Sequence, residues 1–67
     1  MTFRLIFKQE DELREIPNEK YTIDDLLSDL ELSSSTIVPK KNDEIVIGDT
    51  LINENDEIKL IQVIYGG

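Results

Sequence analysis

Thr22-Ile23-Asp24-Asp25-Leu26-Leu27-Ser28-Asp29-Leu30-Glu31 is the stretch of this chain with clear helical spacing. Ile23, Leu26, Leu27 and Leu30 fall on one side of a 3.6-residue repeat, and Asp24, Asp25, Ser28 and Asp29 fall on the other. Thr22 suits the N-cap, because its hydroxyl accepts from a free backbone N–H of the first turn. Asp25, three residues on, completes a capping-box pair, and Asp24 and Asp25 put negative charge at the positive end of the helix dipole. The spacing predicts a helix from Ile23 to Glu31, with Leu32 closing its base. One such helix cannot bury its leucine stripe alone, so a sheet face has to receive it.

Working outward, the segment before the helix supplies two strands. Thr2 to Lys8 alternates, with Phe3, Leu5 and Phe7 on one face and Thr2, Arg4, Ile6 and Lys8 on the other. Gln9-Glu10-Asp11 is a polar break, and Glu12 to Ile16 reads as a second strand with Leu13 as its inward anchor. Strands this close in sequence favour an antiparallel hairpin. Pro17-Asn18-Glu19 ends it.

After the helix, Ser33-Ser34-Ser35 is a short polar loop. Ile37 to Lys41 and Glu44 to Ile47 read as strands joined at Asn42-Asp43, two residue types that tolerate the positive φ of a tight turn. Pro39 weakens the first of them, since it has no N–H for a ladder bond. Turns at Gly48-Asp49-Thr50 and Asn53-Glu54-Asn55-Asp56 flank Leu51 and Ile52. Glu57 to Tyr65 is then a strand rich in β-branched and aromatic residues, running directly into Gly66-Gly67. Ile58, Leu60 and Ile64 are expected to face the helix, leaving Ile61, Val63 and Tyr65 on the opposite face with Ile6. The order is hairpin, helix, hairpin, final strand. It predicts an α+β protein of the β-grasp type, ββαββ, with a mixed sheet packed on one helix. Residues 1–64 form the expected domain, and 65–67 a flexible diglycine tail.

Composition narrows the function. With 67 residues the core is small, and the chain has no cysteine and no histidine to staple it. Fifteen acidic residues against seven basic ones give a net charge of −8. Phosphate backbones would be repelled by that charge, which argues against nucleic acid and suits a partner with a basic docking face. No signal-like opening and no apolar run of membrane length appear, so a cytoplasmic, membrane-free monomer is expected.

The chain resembles the ubiquitin-like sulfur carriers and modifiers: MoaD and ThiS proteins, the ubiquitin-related modifier, and the small archaeal modifier proteins. The resemblance is carried by Thr22-Ile23-Asp24-Asp25-Leu26-Leu27, Lys41-Asn42-Asp43-Glu44-Ile45-Val46, Asn55-Asp56-Glu57-Ile58 and Gly66-Gly67. It implies a substrate and not a catalyst. In the family, an E1-like enzyme uses ATP and Mg²⁺ to adenylate the terminal carboxylate. The adenylate is then sulfurated to a thiocarboxylate, for a sulfur-accepting enzyme, or joined to a lysine of a target protein. By position, Gly67 is the reacting residue and Gly66 its slender neighbour, with no cofactor bound by the chain itself. An apolar patch of Ile6, Ile61, Val63 and Tyr65 is the expected docking surface for the activating enzyme. Lys8, Lys20, Lys40, Lys41 and Lys59 are the candidate acceptors for self-conjugation. Two positions depart from the family. Pro39 lies in a strand the family pairs on both sides, so a bulge or local break is expected there. Tyr65 stands where some carriers have glycine or a small residue.

Rival readings are weaker. The acidic pairs Asp24-Asp25 and Asp43-Glu44 lack any cysteine or histidine to complete a nucleophile and base, so no catalytic residue is expected. Asp43, Glu44, Asp49 and Asp56 have no calcium-loop spacing, so no metal site is expected. A plain β-grasp binding module with an incidental Gly-Gly is the alternative.

Overall fold

The computed structural model describes residues 1–63. The helix, α1 (Ile23–Asp29), begins as its sequence dictates. The Thr22 hydroxyl accepts from Asp25 N at 3.2 Å, and the Asp25 carboxylate accepts from Thr22 N at 3.1 Å. Two further free N–H groups are taken by the loop after the second hairpin: Ile23 N donates to Thr50 O (3.0 Å) and Asp24 N to Gly48 O (2.8 Å). The helix ends two residues earlier than the spacing predicts. Glu31 takes a φ of 58°, and the closing bonds Glu31 N to Ser28 O (3.1 Å) and Leu32 N to Leu27 O (2.8 Å) form the Schellman arrangement. Leu32 thereby folds back to close the base.

Five strands form one sheet in the order β2-β1-β5-β3-β4. They are β1 (Thr2–Phe7), β2 (Glu10–Glu15), β3 (Ile37–Lys41), β4 (Glu44–Ile45) and β5 (Glu57–Gln62). The central pair β1·β5 is parallel and the other pairings are antiparallel, giving the mixed sheet of the β-grasp fold. Its inner face packs on α1. Phe3, Leu5, Ile23, Leu26, Leu27, Ile58 and Leu60 are buried there together with Tyr21, Ile37 and Ile52. Each such side chain contributes about 2 kcal/mol relative to exposure.

β2 corrects one expectation. The turn at Lys8-Gln9 has both residues at positive φ (51° and 67°), as a two-residue hairpin turn requires, so Phe7 pairs with Glu10. That register puts Glu12 opposite Leu5 and Arg14 opposite Phe3 on the inner face, and Leu13 opposite Arg4 on the outer one. Leu13 is 74% exposed and anchors nothing. Ile16 is the residue by which this segment reaches the core. The turn sets the phase of the strand, and its most apolar member has no vote.

Pro39 produces no bulge on one side and a break on the other. The ladder to β5 runs in constant register from Ile37↔Gln62 to Lys41↔Ile58. Asn42 N donates to Glu57 O, and Val63 N to Thr36 O. By alternation the even residues of β3 therefore bond β5, and the missing Pro39 N–H falls on the β4 side. There Val46 N still reaches Pro39 O at 3.1 Å, but the reciprocal bond cannot form. β4 is accordingly only two residues long, where Glu44 to Ile47 was expected.

Candidate functional site

β5, which leads to the chain's C-terminal residues, lies between β1 and β3 at the centre of the sheet. Its entry is clipped by a buried carboxylate. Asp56 accepts from Asn53 N (2.7 Å) and from Asn42 Nδ2 (3.1 Å), and pairs with Lys41 Nζ at 3.2 Å. Burial alone would push the Asp56 pKa up. The Asn53 N–H, the Asn42 amide and the Lys41 ammonium outweigh it and hold the carboxyl below its ordinary value. Asn42 also accepts from Glu57 N at 2.9 Å, so the β3–β4 turn is stitched to the first residue of β5. The Asp56 carbonyl receives Arg4 N at 2.8 Å, which ties in β1 as well.

At the other end of β5, Val63 N donates to Thr36 O at 2.7 Å. Gly66, Gly67, Tyr65 and Ile64 lie outside the described residues. The remaining members of the expected patch are brought together. Ile58 and Leu60 are buried on the inner face, so Ile61 points outward and is 37% exposed. Ile6 and Val63 are half-buried. Ile6 pairs with Lys59, and Val38 pairs with Ile61. Val38 and Ile45, the latter opposite Lys40 and 69% exposed, extend the apolar surface and were not singled out from the sequence. The signal was there, since an inward Ile37 sends Val38 outward, but Pro39 obscured the alternation.

The basic residues differ in their surroundings. Arg4, on the outer face, is chelated by Asp11 and also reaches Glu57 at 3.3 Å. Its bond to Asp11 raises the guanidinium pKa, and the same bond lowers that of Asp11. Lys8, Lys20 and Lys59 are exposed and Lys40 is half-buried. Lys41 Nζ is committed to Leu51 O at 2.9 Å and to Asp56. Below the helix, the buried Tyr21 donates its hydroxyl to Asp29, and burial followed by that bond raises its pKa. Among the described residues no cluster has the make-up to hold a metal ion.

Three comparisons bear on this arrangement. The family model described as the ThiS family matches residues 5–67. The fold is similar to the crystal structure of SAMP1 from Haloferax volcanii, with a TM-score of 0.73 at 15% identity over 100% of each chain. It is also similar to a ubiquitin-like protein from the hyperthermophilic archaeon Caldiarchaeum subterraneum, with a TM-score of 0.65 at 14% identity, covering 98% of this chain and 100% of that one. At those identities the likeness is one of fold. No curated protein is matched by sequence.

Proposed function

We propose, proceeding from the fact that the chain belongs to the ThiS family of ubiquitin-like small carriers and modifiers, that the Gly67 carboxylate is its reacting group. The observation that carries this reading is the family match, which runs through Gly66-Gly67. The chain is then a substrate. An E1-like enzyme, using ATP and Mg²⁺, lets a Gly67 carboxylate oxygen attack the α-phosphorus of ATP, with pyrophosphate leaving. Carboxylate is a poor electrophile, and the acyl-adenylate supplies AMP as a good leaving group. A sulfur nucleophile displaces AMP to give a thiocarboxylate, or a lysine amine displaces it to give an isopeptide. Glycines let the backbone approach closely in a narrow channel.

The face bearing Ile6, Ile61 and Val63, together with Val38 and Ile45, is the proposed docking surface, and Tyr65 is its proposed continuation. Lys8, Lys20, Lys40 and Lys59 are the proposed self-conjugation acceptors. Lys41 is the poorest of the five named from the sequence, because its ammonium is already bonded.

Mass spectrometry of the protein isolated from its own cells separates the fates. Exchange of one oxygen for sulfur identifies a carrier, and branched peptides joining Gly67 to lysines identify a modifier. Deleting Gly66 and Gly67 should abolish ATP–pyrophosphate exchange by the E1-like enzyme while leaving the melting temperature unchanged. Undiminished exchange by the deleted protein would refute the reading.

A further inference from the structure

The outer face of the sheet holds a charge arrangement that the fold itself does not favour. In the β3·β5 ladder Lys40 stands directly opposite Lys59, and both lie on the face away from the helix. Like charges directly opposite across two strands oppose the pairing. The chain has seven basic residues against fifteen acidic ones, yet two of the seven are set side by side. Arg4 on the same face is matched by Asp11 and Glu57. Among the described residues no carboxylate lies within ion-pair distance of Lys40 or Lys59.

The neighbours of this pair are apolar on three sides, and on the fourth Glu57 is paired with Arg4. Along its row Ile6 flanks Lys59 and Ile45 flanks Lys40, and Val38 with Ile61 fills the next row. Most acids sit elsewhere: Asp24, Asp25, Asp29 and Glu31 are exposed on the helix and its cap, and Glu10, Glu12 and Glu15 on the edge strand, while Asp11 and Glu57 on this face are both engaged by Arg4. A net charge of −8 points to a basic partner, but the middle of this face is positive.

We propose that the activating enzyme docks on this face with carboxylates set in an apolar surround, received by Lys40 and Lys59. The inference rests on the function proposed above and adds the chemistry of the partner. Docking would exclude water around the lysines, and the attraction between unlike charges grows as the local dielectric falls. It would also relieve the repulsion that the free protein carries. A nucleic-acid occupant is disfavoured by the overall charge.

The test is ATP–pyrophosphate exchange by the E1-like enzyme from the same cells. Wild type is compared with Lys40→Glu, Lys59→Glu, the double Lys→Arg variant, and a surface control, Glu19→Gln with Glu54→Gln. Each Lys→Glu change should raise KM about tenfold or more with kcat little changed, and the Arg variant and the control should stay near wild type. At about 0.1 M salt or above, where the added long-range self-repulsion is screened, each single Lys→Glu change should also hold or raise the melting temperature, because it turns a repelling cross-strand pair into an attracting one. A variant that is more stable and yet a poorer substrate cannot be explained by misfolding. Unchanged KM for both Lys→Glu variants overturns the proposal, as does loss in the Arg variant, which keeps the charge. Self-association that sedimentation shows and Lys40→Glu abolishes would assign the face to a second copy and overturn it too, and so would RNA binding lost in the same variant. A wild-type protein that is not adenylated at all fails at the earlier step, the function itself.

Discussion

Asp56 is the residue on which the entry to the central strand depends. It is 8% exposed, and both of its oxygens are used: Oδ1 by Asn42, and Oδ2 by Asn53 N and Lys41. Its folded pKa lies below the ordinary value. A lowered folded pKa means that the unfolded chain binds the proton more tightly. The stabilisation is therefore complete above the unfolded pKa of about 3.9 and is lost as pH falls through the lower folded value. Asp56→Asn keeps one accepting oxygen, which can serve Asn53 N–H and Lys41 only by turning its NH2 against the Asn42 Nδ2 donor, and should cost about 1–3 kcal/mol at neutral pH. Urea titrations of both proteins at several pH values check this. The gap between them should shrink on acidification, and an equal gap at every pH would show that the carboxylate charge is not what matters. Tyr21 behaves in the opposite sense. Its raised folded pKa contributes stability that is present below about pH 10 and is lost as pH rises further, and Tyr21→Phe should remove that alkaline loss. The sequence marked the Asn42 and Asp56 segments as family-like but not their contact, and Asp56 otherwise read as one acid of a turn. Asn42 and Asp56 are 14 positions apart, and topology alone brings them together.

At the scale of elements, α1 was the most legible, because its cap, its stripe and its acidic first turn agree with one another. Its early end was not, since Glu31 closes the helix at positive φ where glycine or asparagine would have announced the stop. β2 was the least legible: it has one apolar residue at its centre, and the Lys8-Gln9 turn points that residue outward. The two positions give a paired test. Leu13→Thr should change stability by no more than about 0.5 kcal/mol, and Ile16→Ala should cost about 1–2 kcal/mol, measured by urea unfolding. The reverse order would restore Leu13 as the anchor. Gly48 read only as a turn marker, but its backbone lies against the start of the helix. A Cβ built there would stand 2.5 Å from Asp24 Cγ, while Gly48 O accepts from Asp24 N. The atoms it meets are the end of an exposed side chain that can turn away, so Gly48→Ala should change stability by no more than about 0.5 kcal/mol. A larger loss by urea unfolding that Asp24→Ala relieves in a double-mutant cycle would show instead that the carboxylate is held in place.

For the whole molecule, periodicity was enough to read hairpin, helix, hairpin and final strand, because one helix and five short strands have few ways to cover a single core. The distribution of charge was not, since it depends on registers fixed by the turns. Acids crowd the helix surface and the β2 edge, where a row of carboxylates also discourages another chain from adding a strand. Few of them are paired, and the excess repels itself in the compact state more than in the expanded one. Added salt screens that repulsion, with a Debye length falling from about 30 Å at 0.01 M to about 10 Å at 0.1 M. The melting temperature should therefore rise with sodium chloride over that range, opposite to a protein held together by surface ion pairs. Glu19→Lys with Glu54→Lys, at two exposed sites, adds two charges per exchange and brings the net charge from −8 to −4. That protein should melt higher at low salt and respond to salt about a quarter as strongly, because self-repulsion goes as the square of the net charge. A melting temperature that falls as salt is added would mean that the Arg4 and Lys41 ion pairs outweigh the repulsion of all the unpaired acids.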